Sequence, residues 1–428
     1  MAPLTQISVE IIKIVHAVIA EEVIKSCYKY FTSRLSDEGL TLEKNQEYFT
    51  KALENNLTRT VNWAKYILFY DLVIDKYTAT KYIELDFYLR PLRETGAKVE
   101  HKEDLLNEVF NLTDKHIVIL GEGGSGKTTS MQMLCSKLLT DEKYLSNSFP
   151  LVIRFRDHSN EIRNLNSRQS KKVHYILHTI LYHELGLPVK KGDKASEEEF
   201  DYLEGAFIKP YIANVLNYLS PLVILDGFDE VEQSARQMIL SEIKELCLSC
   251  TSARIVVTSR IGDFDYSLPN ARKFQIAPFD DKKIIKFCCK WLEDEVRGMK
   301  LYDAIKSTPY YDTTMRPINL TMLASLYEAN GELPADPKSI YERVIDLHLF
   351  RWDKERDVRR GMKIKSFDTR LMRQFIEHLA FHLATENYFT FDKFELKLIY
   401  VNKLLPAFAE VLTEELFEST INEVEVHS

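Results

Sequence analysis

Three short runs carry side chains suited to holding a phosphorylated ligand. The first is Gly121-Glu122-Gly123-Gly124-Ser125-Gly126-Lys127-Thr128, followed by Thr129. The apolar run His116-Ile117-Val118-Ile119-Leu120 precedes it and a helical pattern follows it. Strand, glycine-rich turn and helix start together make a P-loop. The glycines let the backbone turn inward, so that successive N–H groups surround a phosphate chain and the helix dipole adds to the field. Lys127 is expected to reach the β- and γ-phosphates, and the Thr128 hydroxyl to ligate Mg²⁺.

The second run is Leu222-Val223-Ile224-Leu225-Asp226-Gly227-Phe228-Asp229-Glu230. A hydrophobic strand ending in an acid is a Walker B arrangement. Asp226 is expected to hold Mg²⁺ through water, and Gly227 to give the chain a tight exit. Asp229 and Glu230 then stand where a carboxylate can orient or deprotonate an attacking water. The third run is Arg254-Ile255-Val256-Val257-Thr258-Ser259-Arg260. Arg260 follows a strand and can report whether a terminal phosphate is present. The residues with expected catalytic roles are thus Lys127, Asp229, Glu230 and Arg260. Gly121, Glu122, Gly123, Gly124, Ser125, Gly126, Lys127, Thr128 and Thr129 line the phosphate cradle, and Thr128 and Asp226 are the metal ligands.

These runs need a scaffold of parallel strands. Short apolar segments at His116–Leu120, Leu151–Phe155, Leu222–Leu225 and Arg254–Thr258 alternate with helical patterns such as Val173–Leu185 and Ala235–Leu248. That alternation predicts an α/β doubly wound parallel sheet, covered on both faces, with its ligand at the strand C-termini. An N-terminal helical domain spans residues 1–90, with apolar positions from Ile7 to Tyr30 and a second helix from Lys44 to Leu72. It carries no enzyme motif, so effector, adaptor and support for the sheet all stay open. The NTPase domain is placed at 91–275 and a helical domain at 276–352. Asp280-Asp281 caps a helix there, and another runs from Ser339 to Trp352. Residues 353–365 form a charged connector. Leu371, Phe375, Leu379 and Leu383 mark a helix in a small unit within 353–428.

A chain of 428 residues is long for one core, which fits several domains. Its net charge of −8 gives no field that favours nucleic acid or an anionic membrane. No run is long and apolar enough for a transmembrane helix, and no secretory signal is visible. The lone pair Cys247/Cys250, without suitably spaced histidines, reads as two buried thiols rather than a zinc site. Six cysteines without a disulfide pattern suit the cytoplasm.

Gly121–Thr129, the Leu225-Asp226-Gly227-Phe228-Asp229-Glu230 run and Thr258-Ser259-Arg260 together resemble a NACHT domain. This is the nucleotide-binding module of NOD-like receptors and prokaryotic STAND NTPases. Asp-Gly-x-Asp-Glu is the specific part. Arg316-Pro317-Ile318-Asn319-Leu320-Thr321-Met322-Leu323 resembles the family's proline motif, which implies that Pro317 packs on the adenine. Gly331-Glu332-Leu333-Pro334, Ile340-Tyr341-Glu342 and Arg351-Trp352-Asp353 fit prokaryotic-like members. Many members have proline where this chain has Gly123.

The resemblance covers about residues 85–428. It implies ATP or ADP with Mg²⁺ and a C-terminal winged-helix-like domain at 353–428, which is expected to be incomplete. The family's winged-helix histidine and the sensor region beyond it have no match here, so a fragment of a longer protein is expected, with a naturally short member as the alternative. The implied function is a slowly hydrolysing switch ATPase of innate immune or anti-phage signalling. Its nucleotide state controls opening and self-association. Its trigger is unknown, a phage or pathogen protein being one kind, and is read by a C-terminal sensor. An AAA+-like remodelling ATPase is the alternative. It calls for an arginine finger and a sensor-2 arginine that the sequence does not place. A metabolite kinase is disfavoured by the Asp226–Glu230 pattern.

Overall fold

A computed structural model describes residues 42–67, 76–89, 91, 101–112, 115–141, 149–167, 175–187, 205–308, 311–333, 369–385, 393–409 and 412–417. The N-terminal helix expected between Ile7 and Tyr30, the helix at 339–352, the connector at 353–365 and Cys27 lie outside these residues.

In chain order the elements are α1 (Leu42–Lys65), α2 (Thr78–Lys81), β1 (Phe87–Tyr88), β2 (His101–Lys102), α3 (Leu105–Asn111), β3 (His116–Gly121) and α4 (Lys127–Thr140). Then come β4 (Pro150–Arg154), α5 (Ser159–Ser167), α6 (Ile176–Glu184), α7 (Gly205–Leu219), β5 (Leu222–Asp226), α8 (Gln233–Ser249), β6 (Arg254–Arg260) and β7 (Ala271–Ile276). Helices α9 (Asp281–Leu292), α10 (Glu295–Lys306), α11 (Pro317–Asn330), α12 (Thr369–Thr385) and α13 (Lys393–Ile399) complete the principal elements.

Seven strands form one sheet in the order β2-β1-β7-β3-β6-β5-β4. The five from β7 to β4 are parallel, while β1 runs antiparallel to β7 and to β2. The four expected strands are present, each extended or shifted by a few residues. The strands β1, β2 and β7, which together form one side of the sheet, escaped the sequence reading. Two-residue strands carry no period, and Ala271-Arg272-Lys273-Phe274-Gln275-Ile276 is too polar at its start to read as a buried run.

Both faces of the sheet are covered. Val118, Leu120, Val223, Leu225, Ile255 and Val257 join a core with residues of α1, α6, α7 and α8. The alternating residues Ile117, Ile119, Ile224 and Val256 are also buried. A sheet buried on both sides needs such continuous apolar strands.

Helix α1 belongs to this unit. Leu53, Leu57 and Trp63 are buried, and Asn56 Nδ2 donates to Glu184 Oε2 at 2.6 Å. It stops at Lys65, short of the expected Leu72. Tyr66 bridges to Tyr77, and Gln132 Nε2 of α4 donates to the Trp63 and Tyr66 carbonyls at 2.7 and 2.9 Å. A buried amide thus satisfies the end of the helix, as helix termini require.

Residues 304–308, 311 and the described residues from Met322 onward belong to a second compact unit. Its helix α12 occurs where the Leu371/Phe375/Leu379/Leu383 spacing placed one. Phe375 packs edge-on against Tyr400 and Phe408, and Tyr400 Oη donates to the Thr413 carbonyl at 2.9 Å. Among the described residues no helix is long and apolar enough to cross a membrane, and no cluster of acids, histidines or cysteines could hold a metal. Cys247 and Cys250 are free buried thiols.

Candidate nucleotide-binding site

The sheet order explains how the three sequence runs meet. β6 lies between the P-loop strand β3 and the Walker B strand β5, so Gly121 is level with Arg260 and Leu225 with Val257. The C-terminal ends of the three strands therefore open onto one place, as expected at a doubly wound sheet's switch point.

The loop after β3 has the shape an anion cradle needs. Gly124 (φ +73°) and Gly126 (φ +96°) are left-handed, a region closed to most side chains. A methyl on Gly121 would lie 2.3 Å from Ser125 Oγ, and one on Gly124 would lie 2.1 Å from Ile318 Cγ2. The loop is thus packed from within and from α11. The buried Ser125 hydroxyl has no hydrogen-bond partner among the described residues. Lys127, at the start of α4, curls back and donates to the Gly121 and Glu122 carbonyls at 2.8 and 3.0 Å. Burial lowers its pKa, and the Asp229 carboxylate acts against that shift. Glu122 is exposed and Arg316 Nη2 stands 3.9 Å from its carboxylate, while Gly123 has open space around it. Thr129 is half-buried in the first turn of α4.

One hydrogen-bond chain links the second and third runs to the first. Thr128 Oγ1 donates to Asp226 Oδ2 at 3.1 Å, and Thr258 Oγ1 donates to Asp226 Oδ1 at 2.6 Å. Thr258 Oγ1 in turn accepts from Gly227 N at 2.9 Å. Burial pushes the Asp226 pKa up, while the two threonine hydroxyls and the charge of Arg156 hold it down. A hydroxyl and a carboxylate this close are hard oxygen donors of the kind Mg²⁺ takes. Together with the glycine cradle, the residues present fit a magnesium–nucleotide complex.

Asp229 and Arg260 face each other. Asp229 Oδ1 accepts from Arg260 N at 3.0 Å, and Oδ2 pairs with Arg260 Nε at 2.9 Å. Arg236 Nη2 donates to the Asp229 carbonyl at 2.6 Å and Nη1 pairs with Asp263 at 2.7 Å, which fixes the turn. Glu230 folds over Gly227, where an added methyl would lie 2.7 Å from Glu230 Oε2. Burial raises its pKa, and Arg156 opposes the rise.

Arg156 was missed by the sequence reading. It sits on the turn Phe155–His158 that leaves β4 and acts on both Asp226 and Glu230. The available signal was an arginine one residue past an expected strand. Leu85 and Ile318 were also not singled out. Pro317 does reach the loop, since a methyl on Gly126 would lie 3.9 Å from Pro317 Cγ and 3.3 Å from Leu85 Cδ1. Ile318 N donates to the Gly124 carbonyl at 3.2 Å.

Residues 115–295 match the family model of the NACHT domain. No curated protein matches the chain. Among solved structures, it is similar to the Orc1 protein of Aeropyrum pernix, determined in complex with DNA. Identity is 12%, coverage is 75% of this chain and 82% of that one, and the TM-score is 0.33. It is also similar to a signal transduction ATPase with numerous domains (STAND) from Pyrococcus horikoshii, which has a tetratricopeptide repeat sensor. There the identity is 13%, coverage is 80% of this chain and 51% of that one, and the TM-score is 0.33. This chain thus spans about half the length of the Pyrococcus protein. The family match falls on the P-loop, on β5 with its acidic turn and on β6.

Proposed function

We propose that this chain is a nucleotide-dependent switch ATPase of the STAND kind. The observation that carries the reading is the chain from Thr128 through Asp226 to Thr258, placed beside a glycine cradle and Lys127. Lys127 exchanges its two carbonyl partners for β- and γ-phosphate oxygens, and the loop amides take the remaining phosphate charge. Thr128 and Asp226 would hold Mg²⁺, which would neutralise phosphate charge when bound. Glu230, once ionised, takes a proton from the attacking water, and Arg156 favours that ionised form.

The switch lies in the Asp229–Arg260 pair. A γ-phosphate brings negative charge that competes with Asp229 for the Arg260 guanidinium, so the pair is expected to differ between ADP and ATP states. Pro317 packs on the adenine. In this reading hydrolysis is slow, ADP holds the resting form, and ATP favours opening and self-association. Residues 353–428 form a winged-helix-like domain. The setting is cytoplasmic innate immune or anti-phage signalling, with the trigger read by a C-terminal sensor.

The test is to identify the nucleotide that co-purifies, then to measure phosphate release and particle mass with ADP and with ATP. Bound ADP, turnover below about 1 s⁻¹ and a mass that rises only with ATP are expected. Fast, sustained turnover by a preformed ring would replace the switch with a remodelling ATPase.

A further inference from the structure

Arg236 is the fourth residue of α8, so its charge stands at the positive end of that helix, where a cation is disfavoured. Its side chain runs back over the helix start, and each of its three nitrogens donates. Nε donates to the Val231 carbonyl at 2.8 Å, Nη2 to the Asp229 carbonyl at 2.6 Å and Nη1 to the Asp263 carboxylate at 2.7 Å. A guanidinium is a rigid planar fork, so three such bonds fix the acceptors relative to one another. Ordering a long side chain is entropically costly, so the arrangement needs a compensating gain.

The acceptors point to that gain. Two of them are the carbonyls of the residues on either side of Glu230. The turn's own bonds act on the same place, since Glu230 N donates to the Gly227 carbonyl at 2.8 Å and Val231 N to the Phe228 carbonyl at 3.1 Å. The peptide groups before and after Glu230 are therefore both held. That fixes the direction in which its side chain leaves the turn, back over Gly227 at the end of β5.

The third acceptor closes a ring. Asp263 N donates to the Arg260 carbonyl at 3.2 Å, and Arg260 N and Nε engage the Asp229 carboxylate. Arg236, Asp229, Arg260 and Asp263 thus join the turn after β5 to the turn after β6. The ordinary reading of such an arginine is a brace for the fold. Here the turns are already joined from beneath, where the buried Phe228 ring lies edge-on to Phe264 and Phe155 with centroids 5.1 and 6.2 Å away. Packing of this kind sets how closely the turns approach, whereas the directional bonds of Arg236 set the peptide groups around Glu230.

We propose that Arg236, oriented by Asp263, is a positioning residue for ATP hydrolysis, holding the Glu230 carboxylate where it meets the attacking water. The inference rests on the functional reading above and deepens it. Arg236 acts through Glu230 and its donors are taken up by the two turns, so hydrolysis depends on it and nucleotide affinity does not.

The test is steady-state phosphate release from Mg·ATP by the full chain, with Mg·ADP affinity measured by calorimetry. In Arg236→Gln, kcat is expected to fall at least about tenfold, with KM and ADP affinity within about twofold. Glu230→Gln/Arg236→Gln protein is expected to match Glu230→Gln alone, because residues that act as a unit are not additive. Arg236→Lys, whose single ammonium group cannot hold three acceptors in one plane, should recover only part of kcat. If thermal melting shows that Arg236→Gln does not fold, Asp263→Asn, at a half-buried position, reads the same split between kcat and KM. Full turnover in the folded variant, an equal loss of affinity and kcat, or a further tenfold loss in the double variant overturns the proposal. Unmodified protein that neither binds Mg·ADP nor releases phosphate, or unchanged turnover in Glu230→Gln, overturns the functional reading itself, and this inference with it.

Discussion

Two regions of the molecule are held in different ways. In the loop of residues 121–128, Lys127 is bonded to carbonyls only six and five positions away. Where helix α9 meets residues 81–86, contacts join residues about two hundred positions apart, such as Lys290 with Tyr82 and Lys81 with Trp291. Short-range geometry leaves a signature in consecutive residues. Long-range lysine-to-carbonyl bonds leave none, because a backbone acceptor has no residue type.

The largest expected effect lies on the phosphate side. Lys127→Ala removes the ammonium group that meets the phosphates, and ATP and ADP affinity should fall at least about a hundredfold; titration with either nucleotide checks this. Glu230→Gln should slow phosphate release by about a hundredfold while ADP affinity stays within about twofold. Unchanged turnover would remove Glu230 from the role of base. The pH profile sharpens that assignment. Burial raises the Glu230 pKa, and a base works only when ionised. Turnover should therefore rise with pH along a limb above the ordinary glutamate value of about 4.3, and the limb should vanish in Glu230→Gln.

A smaller effect is expected where α9 meets residues 81–86. Lys81 is buried and donates to the Lys290 and Trp291 carbonyls at 2.8 and 3.0 Å, closing the end of α9. Lys81→Met should lower unfolding stability by about 1–3 kcal/mol, measured by urea titration, because it strands both acceptors. A loss below about 0.5 kcal/mol would show this contact to be held mainly by packing.

Legibility in the sequence follows the same division. The four expected strands, the helices at 233–249 and 369–385 and the Asp280 cap all occur, because apolar periodicity and capping are local. The pairing of Thr128 with Asp226 was legible as a shared metal site, but the part of Thr258 in it was not. It takes the insertion of β6 between β3 and β5 to bring them together. The early end of α1 depends on Gln132, sixty-nine positions from Trp63, and no pattern within the helix announces it. Arg156 was hidden for a related reason. Its importance comes from the neighbouring strand's acids, not from anything in Phe155-Arg156-Asp157-His158.

The most direct measurement is equilibrium titration of Mg·ATP into unmodified and Lys127→Ala protein, with the fold of both checked by thermal melting. Saturable binding by the unmodified chain and its loss in the folded variant are predicted. Equal affinity in the two proteins would contradict the claim that the glycine loop and Lys127 hold the phosphates.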